Sequence, residues 1–161
     1  MRNYGRAGMV AAVALGACGI GVALAAAPMD TETFVSAKDI EWQPAPPSLP
    51  PGAKIAVLHG DPGKSGPFVL RLMTPAGYKV APHWHSQDEA LTVISGTLYI
   101  GMGDRYEPST ARGLQVGGFH FLPGKAHHYA YSKKPTIVQI SGSGPFDINY
   151  INRADDPRGG R

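Results

Sequence analysis

Four residues with metal-ligating side chains constrain how this chain can fold: His83, His85, Glu89 and His128. Side chains alternate faces along a β-strand, so His83 and His85 share one face. The polar residues 86–88 suit a turn between two extended segments, which returns Glu89 to the side of the histidine pair. Because His128 lies 39 residues beyond Glu89, only a closed sheet can bring it to the same place.

The side chains of these four residues form a ligand set for one divalent transition metal. Three imidazole nitrogens and one carboxylate oxygen suit Zn, Fe(II), Mn, Ni or Cu, so the ligand types alone leave the metal open. We therefore expect a single metal site at His83, His85, Glu89 and His128.

Glycine and proline interrupt the sequence at short intervals and separate brief apolar runs. The chain has 21 Gly and 15 Pro in 161 residues, well above ordinary usage. Strands are predicted over residues 54–59, 68–73, 91–95, 97–102, 119–122, 136–140 and 147–152. After residue 25 no segment shows a sustained 3.6-residue apolar period with helix caps, so we expect little helix. The pattern predicts an all-β domain, as a sandwich, jelly roll or barrel.

The spacing around the first three ligands resembles the first motif of the cupin superfamily, G-x5-H-x-H-x3-E-x6-G. Its five fixed positions are occupied by Gly77, His83, His85, Glu89 and Gly96. The resemblance covers residues 53–152 and implies a double-stranded β-helix, that is, a jelly-roll barrel with the metal inside its mouth. The segment from residue 58 to 85 also resembles small exported single-domain cupins of bacteria.

The second cupin motif, G-x5-P-x-G-x2-H-x3-N, matches less completely, at Gly117, Pro123 and His128. Lys125 stands where the middle glycine is expected, and Ser132 stands where the final asparagine is expected. His127 offers a second imidazole beside the expected ligand. We favour His128, because it keeps the spacing from the proline.

The N-terminus predicts a secretory signal peptide over residues 1–25. Two arginines give it a positive start, residues 7–24 form a small-residue apolar stretch, and Ala23-Leu24-Ala25 offers a cleavage site. We expect a periplasmic or secreted protein beginning near residue 26, which N-terminal sequencing of the native protein can check. A membrane anchor is the alternative, and lipidation of Cys18 would tether the protein to a membrane.

Cleavage at this site changes the charge of the chain. It leaves 13 basic and 12 acidic residues and no cysteine, so charge gives no support to nucleic-acid binding, and disulfides and thiolate chemistry are excluded. The sequence also lacks a G-x-S-x-G nucleophile elbow, a complete G-x-G-x-x-G fingerprint and a phosphate-binding loop. An exported chain selects its metal outside the cytoplasm, so we favour zinc or copper, with iron, manganese and nickel as alternatives.

Two segments flank the predicted barrel. The arm over residues 26–52 has five prolines between residues 44 and 51, which predicts a stiff extended segment over the barrel or across a dimer rather than a partner-docking motif. Residues 153–161 are predicted to form a flexible tail. We expect a homodimer that binds a small molecule, with no nucleic acid and, unless Cys18 is lipidated, no membrane.

Two further side chains are candidates for a catalytic role. If its strand face lines the barrel, Arg71 could hold a substrate carboxylate or pair with Glu89; exposure on the barrel exterior is the alternative. Tyr99 is a candidate for relaying a proton or orienting a ligand, with packing as the alternative. The same two alternatives apply to Tyr78, Tyr129 and Tyr131. His59 and His120 lie outside the ligand spacing, and we expect both to be structural or exposed.

Three functions fit this ligand set. Four protein ligands on a six-coordinate ion leave about two open positions, as Lewis-acid or oxygen chemistry requires. We favour a metalloenzyme of the dioxygenase, isomerase or lyase type, acting on a small organic molecule. The main alternative is a non-catalytic metal or ligand sensor, because the motif spacing is also similar to the cupin-like domains of zinc-binding anti-sigma factors. A closed tetrahedral zinc site would instead indicate a structural or storage module.

Overall fold

The computed structural model describes residues 32–159, so the predicted signal peptide lies outside the described residues. Over this range the strands are β1 (Gln43–Pro44), β2 (Lys54–His59), β3 (Gly66–Thr74), β4 (Lys79–Trp84), β5 (Glu89–Ser95), β6 (Thr97–Met102), β7 (Arg112–Gln115), β8 (Phe119–Leu122), β9 (His128–Tyr131), β10 (Thr136–Gly144) and β11 (Asn149–Tyr150). Two single-turn 3₁₀ helices, Ala37–Asp39 and Arg153–Asp155, complete the elements of this range. None of its helices has the length and apolar character needed to cross a membrane.

The strands form two antiparallel sheets that enclose the core. One sheet has the order β1-β2-β3-β10-β5-β8, and the other has the order β11-β4-β9-β6-β7. From β3 to β6 and again from β7 to β11, successive strands lie in alternate sheets. This alternation produces a double-stranded β-helix, so the predicted all-β jelly-roll fold is confirmed.

The core follows from period-2 alternation along the strands. In β3 the side chains of Phe68, Leu70 and Leu72 are buried, while those between them are half-buried. In β5 the same alternation buries Glu89 together with Leu91 and Val93. The carboxyl group of Glu89 therefore belongs to the interior face of its strand.

Strands with a clear local signal have the predicted limits, whereas strands defined by pairing do not. The predictions over residues 54–59, 97–102 and 119–122 coincide with β2, β6 and β8. Strand β10 runs to Gly144, past its predicted end at residue 140, because it pairs with β3 along its whole length. The short or polar strands β1, β7 and β9 were not predicted, and the segment predicted over 147–152 shrinks to β11. Pairing with neighbouring strands outweighs local propensity at these positions.

The proline-rich segment of residues 45–52, hereafter the strap, packs against the barrel. The phenol of Tyr78 donates a hydrogen bond of 2.7 Å to the carbonyl of Pro50. The phenol of Tyr150 donates one of 3.0 Å to the carbonyl of Ser48. Two side chains from the barrel thus hold the backbone of the strap in place, while the predicted domain limits at residues 25, 52 and 152 stay predictions.

At residue 125 the second cupin motif expects glycine and this chain has lysine, and the backbone there has a positive φ angle. The motif glycines Gly77, Gly96 and Gly117 have φ angles of 76°, 78° and 78°, a region that glycine enters without steric cost. Lys125, at the expected glycine position, has a φ of 66°. Its backbone N–H donates a 2.7 Å hydrogen bond to the carbonyl of His85. The turn therefore requires a left-handed residue, and Lys125 adopts this conformation with strain.

Replacing Lys125 with glycine should stabilise the protein. Removing the left-handed strain outweighs the added freedom of the unfolded chain, so we expect the free energy of unfolding to rise by about 0.5–1 kcal/mol. Urea unfolding of the metal-free protein measures it. The matched control is Lys134→Gly, an exposed lysine at which φ is not positive, which should lower the free energy of unfolding by about 0.4–1 kcal/mol. Equal destabilisation by both variants would contradict the strain at Lys125.

Candidate metal centre

Three strands bring the predicted ligands to one place inside the barrel. His83 in β4 pairs directly with His128 in β9, His85 follows the end of β4, and Glu89 begins β5. One nitrogen from each of the three histidines lies within 4.8 Å of the others. The four residues are almost fully buried, with exposed fractions of 4%, 7%, 4% and 3% for His83, His85, Glu89 and His128.

Each imidazole is oriented by a hydrogen bond from its outer nitrogen. The three Nδ1 atoms bond to backbone carbonyls, which belong to Ala81 for His83, Asp147 for His85 and Ala126 for His128. A carbonyl only accepts hydrogen bonds, so each Nδ1 carries the proton in this arrangement. Each Nε2 is left with a free lone pair, which is the state in which histidine binds a metal.

The segment around Asp147 fixes the orientation of His85. The Asp147 carboxylate accepts 2.7 Å hydrogen bonds from both the backbone N–H and the hydroxyl of Ser86, and one of 2.8 Å from the amide of Asn149. The ring of Phe146 stacks on the His85 imidazole, with centroids 4.4 Å apart and planes at 18°. His85 is therefore held between a backbone acceptor and an aromatic face. These contacts could not be predicted from the sequence, since Asp147 is 62 residues from His85.

The carboxyl group of Glu89 faces two of these imidazoles without a hydrogen bond. Its Oε2 lies 3.5 Å from His85 Nε2 and 3.6 Å from His128 Nε2. Within residues 32–159 this buried oxygen has no hydrogen-bond partner. Two atoms that each lie about 2 Å from one ion can be up to about 4 Å apart. The three histidine nitrogens lie close enough together to hold one metal ion, and the Glu89 oxygen lies beside two of them. The residues present therefore fit a metal.

Burial sets the charges of the group. Desolvation raises the pKa of the Glu89 carboxyl to about 8. It lowers the pKa of His128 to about 4, lowers that of His83 well below its ordinary value, and also lowers that of His85. Each shift favours the neutral form, because a low-dielectric interior disfavours charge. Near pH 7 the metal-free site therefore holds neutral imidazoles and a mostly protonated carboxyl.

The neighbouring histidine and the two catalytic candidates lie elsewhere. The Nδ1 of His127 bonds to the Asp104 carboxylate at the surface, so His127 points away from the buried group. Arg71 lies on the outer face of β3, between buried Leu70 and Leu72, where its Nε donates to the Gln139 side chain at 3.3 Å. Of the two alternatives considered for Arg71, the structure shows the one on the barrel exterior.

Tyr99 is also directed outward. It alternates with buried Leu98 and Ile100 on β6, and its ring stacks on Tyr131 with centroids 4.8 Å apart and planes at 8°. The ammonium of Lys133 lies 4.7 Å above the Tyr99 ring. Tyr99 therefore packs on the exterior, and the catalytic role considered for it is not supported by its position.

A cavity of about 420 Å³ adjoins the histidine group. His83, His85, Glu89 and His128 form one region of its wall, and aliphatic side chains of both sheets form most of the rest. Its volume falls in the range of about 300–1,000 Å³ that is usual for sites of small molecules. Leu49 of the strap also lines it, a contact that sequence reasoning missed because the strap carries no local signal for its position.

Comparison with known families identifies a match over most of the chain. The ChrR cupin-like domain family matches residues 30–147. No curated protein matches the chain.

Solved structures share the fold at low sequence identity. The polyketide cyclase RemF from Streptomyces resistomycificus has a TM-score of 0.63 at 14% identity, covering 79% of this chain and 90% of its own. A candidate acetylacetone dioxygenase from Methylibium petroleiphilum has a TM-score of 0.61 at 19% identity, with coverages of 79% and 85%. The complex of SigE with the anti-sigma ChrR from Rhodobacter sphaeroides has a TM-score of 0.50 at 16% identity, with coverages of 66% and 51%. At these identities the likenesses establish the fold and not the reaction.

Replacing His127 or His128 with alanine should show which of these two adjacent histidines binds the metal. His128→Ala removes a buried nitrogen of the group and should lower zinc affinity at least about tenfold. His127→Ala removes an exposed side chain bonded to Asp104 and should keep the wild-type zinc content. Elemental analysis after zinc loading and dialysis measures both variants. Loss of zinc from His127→Ala with retention in His128→Ala would show that the assignment is reversed.

Metal binding near pH 7 should release about one proton, and this proton should come from Glu89. A ligating carboxylate must be ionised, and the raised pKa of about 8 keeps Glu89 mostly protonated in the metal-free protein. The neutral imidazoles have no proton to release. Zinc affinity should therefore rise about tenfold per pH unit up to about pH 8 and then level off.

Calorimetric zinc titrations in buffers of different ionisation enthalpy count the released protons. Glu89→Gln is the matched control, because its neutral amide keeps the shape of the side chain and cannot release a proton. Equal proton release from the wild type and Glu89→Gln would show that Glu89 is not the source.

Proposed function

The chain belongs to the ChrR cupin-like domain family, and on this premise we propose that it is an exported metalloenzyme. It acts on a small organic molecule by dioxygenase-, isomerase- or lyase-type chemistry. The observation that carries the proposal is that the buried histidine and glutamate group forms part of the wall of a 420 Å³ cavity. A purely structural metal has no need of an adjoining space for a ligand.

The three histidines His83, His85 and His128 can hold one metal ion, and we propose that Glu89, which lies beside His85 and His128, is its fourth ligand. When bound, such a metal supplies Lewis-acid polarisation of a substrate oxygen or, if it is redox-active, oxygen chemistry. The backbone acceptors of the three Nδ1–H groups keep each Nε2 directed at the site. These fixed orientations reduce the reorganisation that binding and reaction require.

The remaining residues control the surroundings of the site. Phe146 covers one face of the His85 imidazole, and Leu91 and Ile140 line the cavity beside the group. Apolar walls limit the water that reaches a bound substrate and strengthen electrostatic interactions within the cavity. Glu89 holds a proton at its carboxyl in the metal-free protein and gives it up to become a ligand.

A second candidate function is a non-catalytic sensor of a metal or small ligand. The match to the ChrR cupin-like domain favours it, since the chain shares its fold with the anti-sigma ChrR. The two functions differ in whether the bound metal keeps a coordination position that is free of protein ligands. An enzyme needs a position for substrate or water, whereas a sensor is served by a closed site.

Export and assembly belong to the same proposal. The arginines, apolar stretch and cleavage site within residues 1–25 support a periplasmic or secreted location, or a membrane-tethered one if Cys18 is lipidated. We propose a homodimer as the assembly and zinc or copper as the metal. Sedimentation analysis and elemental analysis of the native protein address these two points.

Metal-dependent turnover tests the enzyme assignment. The protein is purified from the cell envelope without a nickel column, its metal is identified, and oxygen uptake and product formation are screened with small carbonyl and phenolic compounds. We expect turnover that a chelator abolishes and that the native metal restores. His127→Ala should retain this activity and His128→Ala should lose it.

The screen also separates the two candidate functions. A metal-loaded protein that turns over no compound and has no exchangeable coordination position would contradict the enzyme and favour the sensor.

A further inference from the structure

The cavity is polar in one region and apolar over most of the rest. The polar region holds the three histidines, Glu89 and Asp147. Away from it the wall is formed by aliphatic side chains from four strands: Leu70, Leu72, Val80, Leu98, Ile100 and Val138. A bound molecule would therefore meet hydrogen-bonding groups mainly at one end.

The polar side chains at the other end have their hydrogen bonds satisfied by the protein. Ser132 lies four residues beyond His128, across β9, which at about 3.3 Å per residue places it about 13 Å away. The hydroxyls of Thr74 and Ser132 lie 3.0 Å apart, and each also contacts a backbone carbonyl. The phenol of Tyr78 donates to the Pro50 carbonyl. These groups leave no free donor for a ligand.

The charges around the cavity disfavour an anion. Among the described residues that line it there is no lysine and no arginine. The Asp147 carboxylate is engaged by Ser86 and Asn149. A carboxylate or phosphate on the body of a ligand would lose its hydration without gaining a cationic partner.

We propose that the cavity takes an uncharged, mainly apolar molecule with one oxygen-bearing end, such as a ketone, an aldehyde or a phenol. The oxygen lies at the histidine group and the hydrocarbon body extends along the barrel toward Thr74 and Ser132. This inference deepens the proposed function and rests on it for the reaction. The selection of an uncharged ligand is a property of the cavity wall and can be measured without turnover.

Leu49 of the strap offers a position at which this selection can be changed. Its side chain is half-buried and lines the cavity. Leu72 lines the same cavity but belongs to the buried core, so it is less suitable for substitution. The carbonyls on either side of Leu49 are held by Tyr150 and Tyr78. Because these bonds involve the backbone of the strap, a new side chain at Leu49 leaves both of them intact.

The test compares two uncharged probes with two anions of similar shape. Acetophenone and heptan-2-one are the uncharged probes, and benzoate and hexanoate are the anions. Calorimetry or ligand-detected NMR measures binding to the metal-free protein near pH 7, so that an anion cannot be held by a bound metal. We expect each uncharged probe to bind at least about tenfold more tightly than its anion.

Two variants at Leu49 test the cause of this preference. Leu49→Lys introduces a cation and should bring the ratio of the affinity for the uncharged probe to that for its anion close to one. Leu49→Met is the matched apolar control and should keep the wild-type ratio. A wild-type protein that binds the anions as tightly as the uncharged probes, or that binds no uncharged probe, would overturn the proposal. Preference for uncharged probes without turnover of any compound would contradict the enzyme function and leave the selection in place.

Discussion

The carboxyl group of Glu89 is buried beside the imidazoles of His85 and His128, and this contact organises the site. A buried acceptor without a hydrogen bond costs about 1–3 kcal/mol, and within residues 32–159 the Oε2 of Glu89 has no partner. The interior keeps the carboxyl protonated, with a pKa of about 8, which avoids a buried charge but leaves this oxygen without a partner. A divalent cation would remove the cost and engage the free Nε2 atoms of the histidines. The three histidines could thus hold a metal, with their orientations already set by backbone carbonyls.

The jelly roll explains how residues so far apart in sequence form this group beside an apolar cavity. Strands β4 and β9 are neighbours in one sheet, β5 lies in the other, and their interior faces meet. The alternation that directs Leu91 and Val93 inward also directs Glu89 inward. The same interior faces supply the aliphatic wall of the cavity. Metal site and ligand site therefore arise from one packing arrangement, which connects the proposed reaction to the proposed selection of uncharged molecules.

The features that could be predicted from the sequence depend on local spacing. The features that could not be predicted depend on contacts between residues far apart in the chain. The spacing of His83, His85 and Glu89 fixes their common side by strand and turn geometry, and the favoured His128 does join them. The faces of Arg71 and Tyr99 were left open, because a single strand does not show which of its two faces meets the opposite sheet. Strand β7 and the contact of His85 with Asp147 depend on partners distant in sequence. The substrate is not encoded in any motif, because the cavity wall combines side chains from many strands.

X-ray absorption spectroscopy of the native metal-loaded protein identifies the ligands of the metal. We expect three imidazole nitrogens, one carboxylate oxygen and at least one further oxygen that exchanges with solvent or an added ligand. A closed four-coordinate site of three imidazoles and one carboxylate, unchanged by added ligands, would contradict a catalytic centre. A spectrum with fewer than three imidazoles would contradict the ligand set itself.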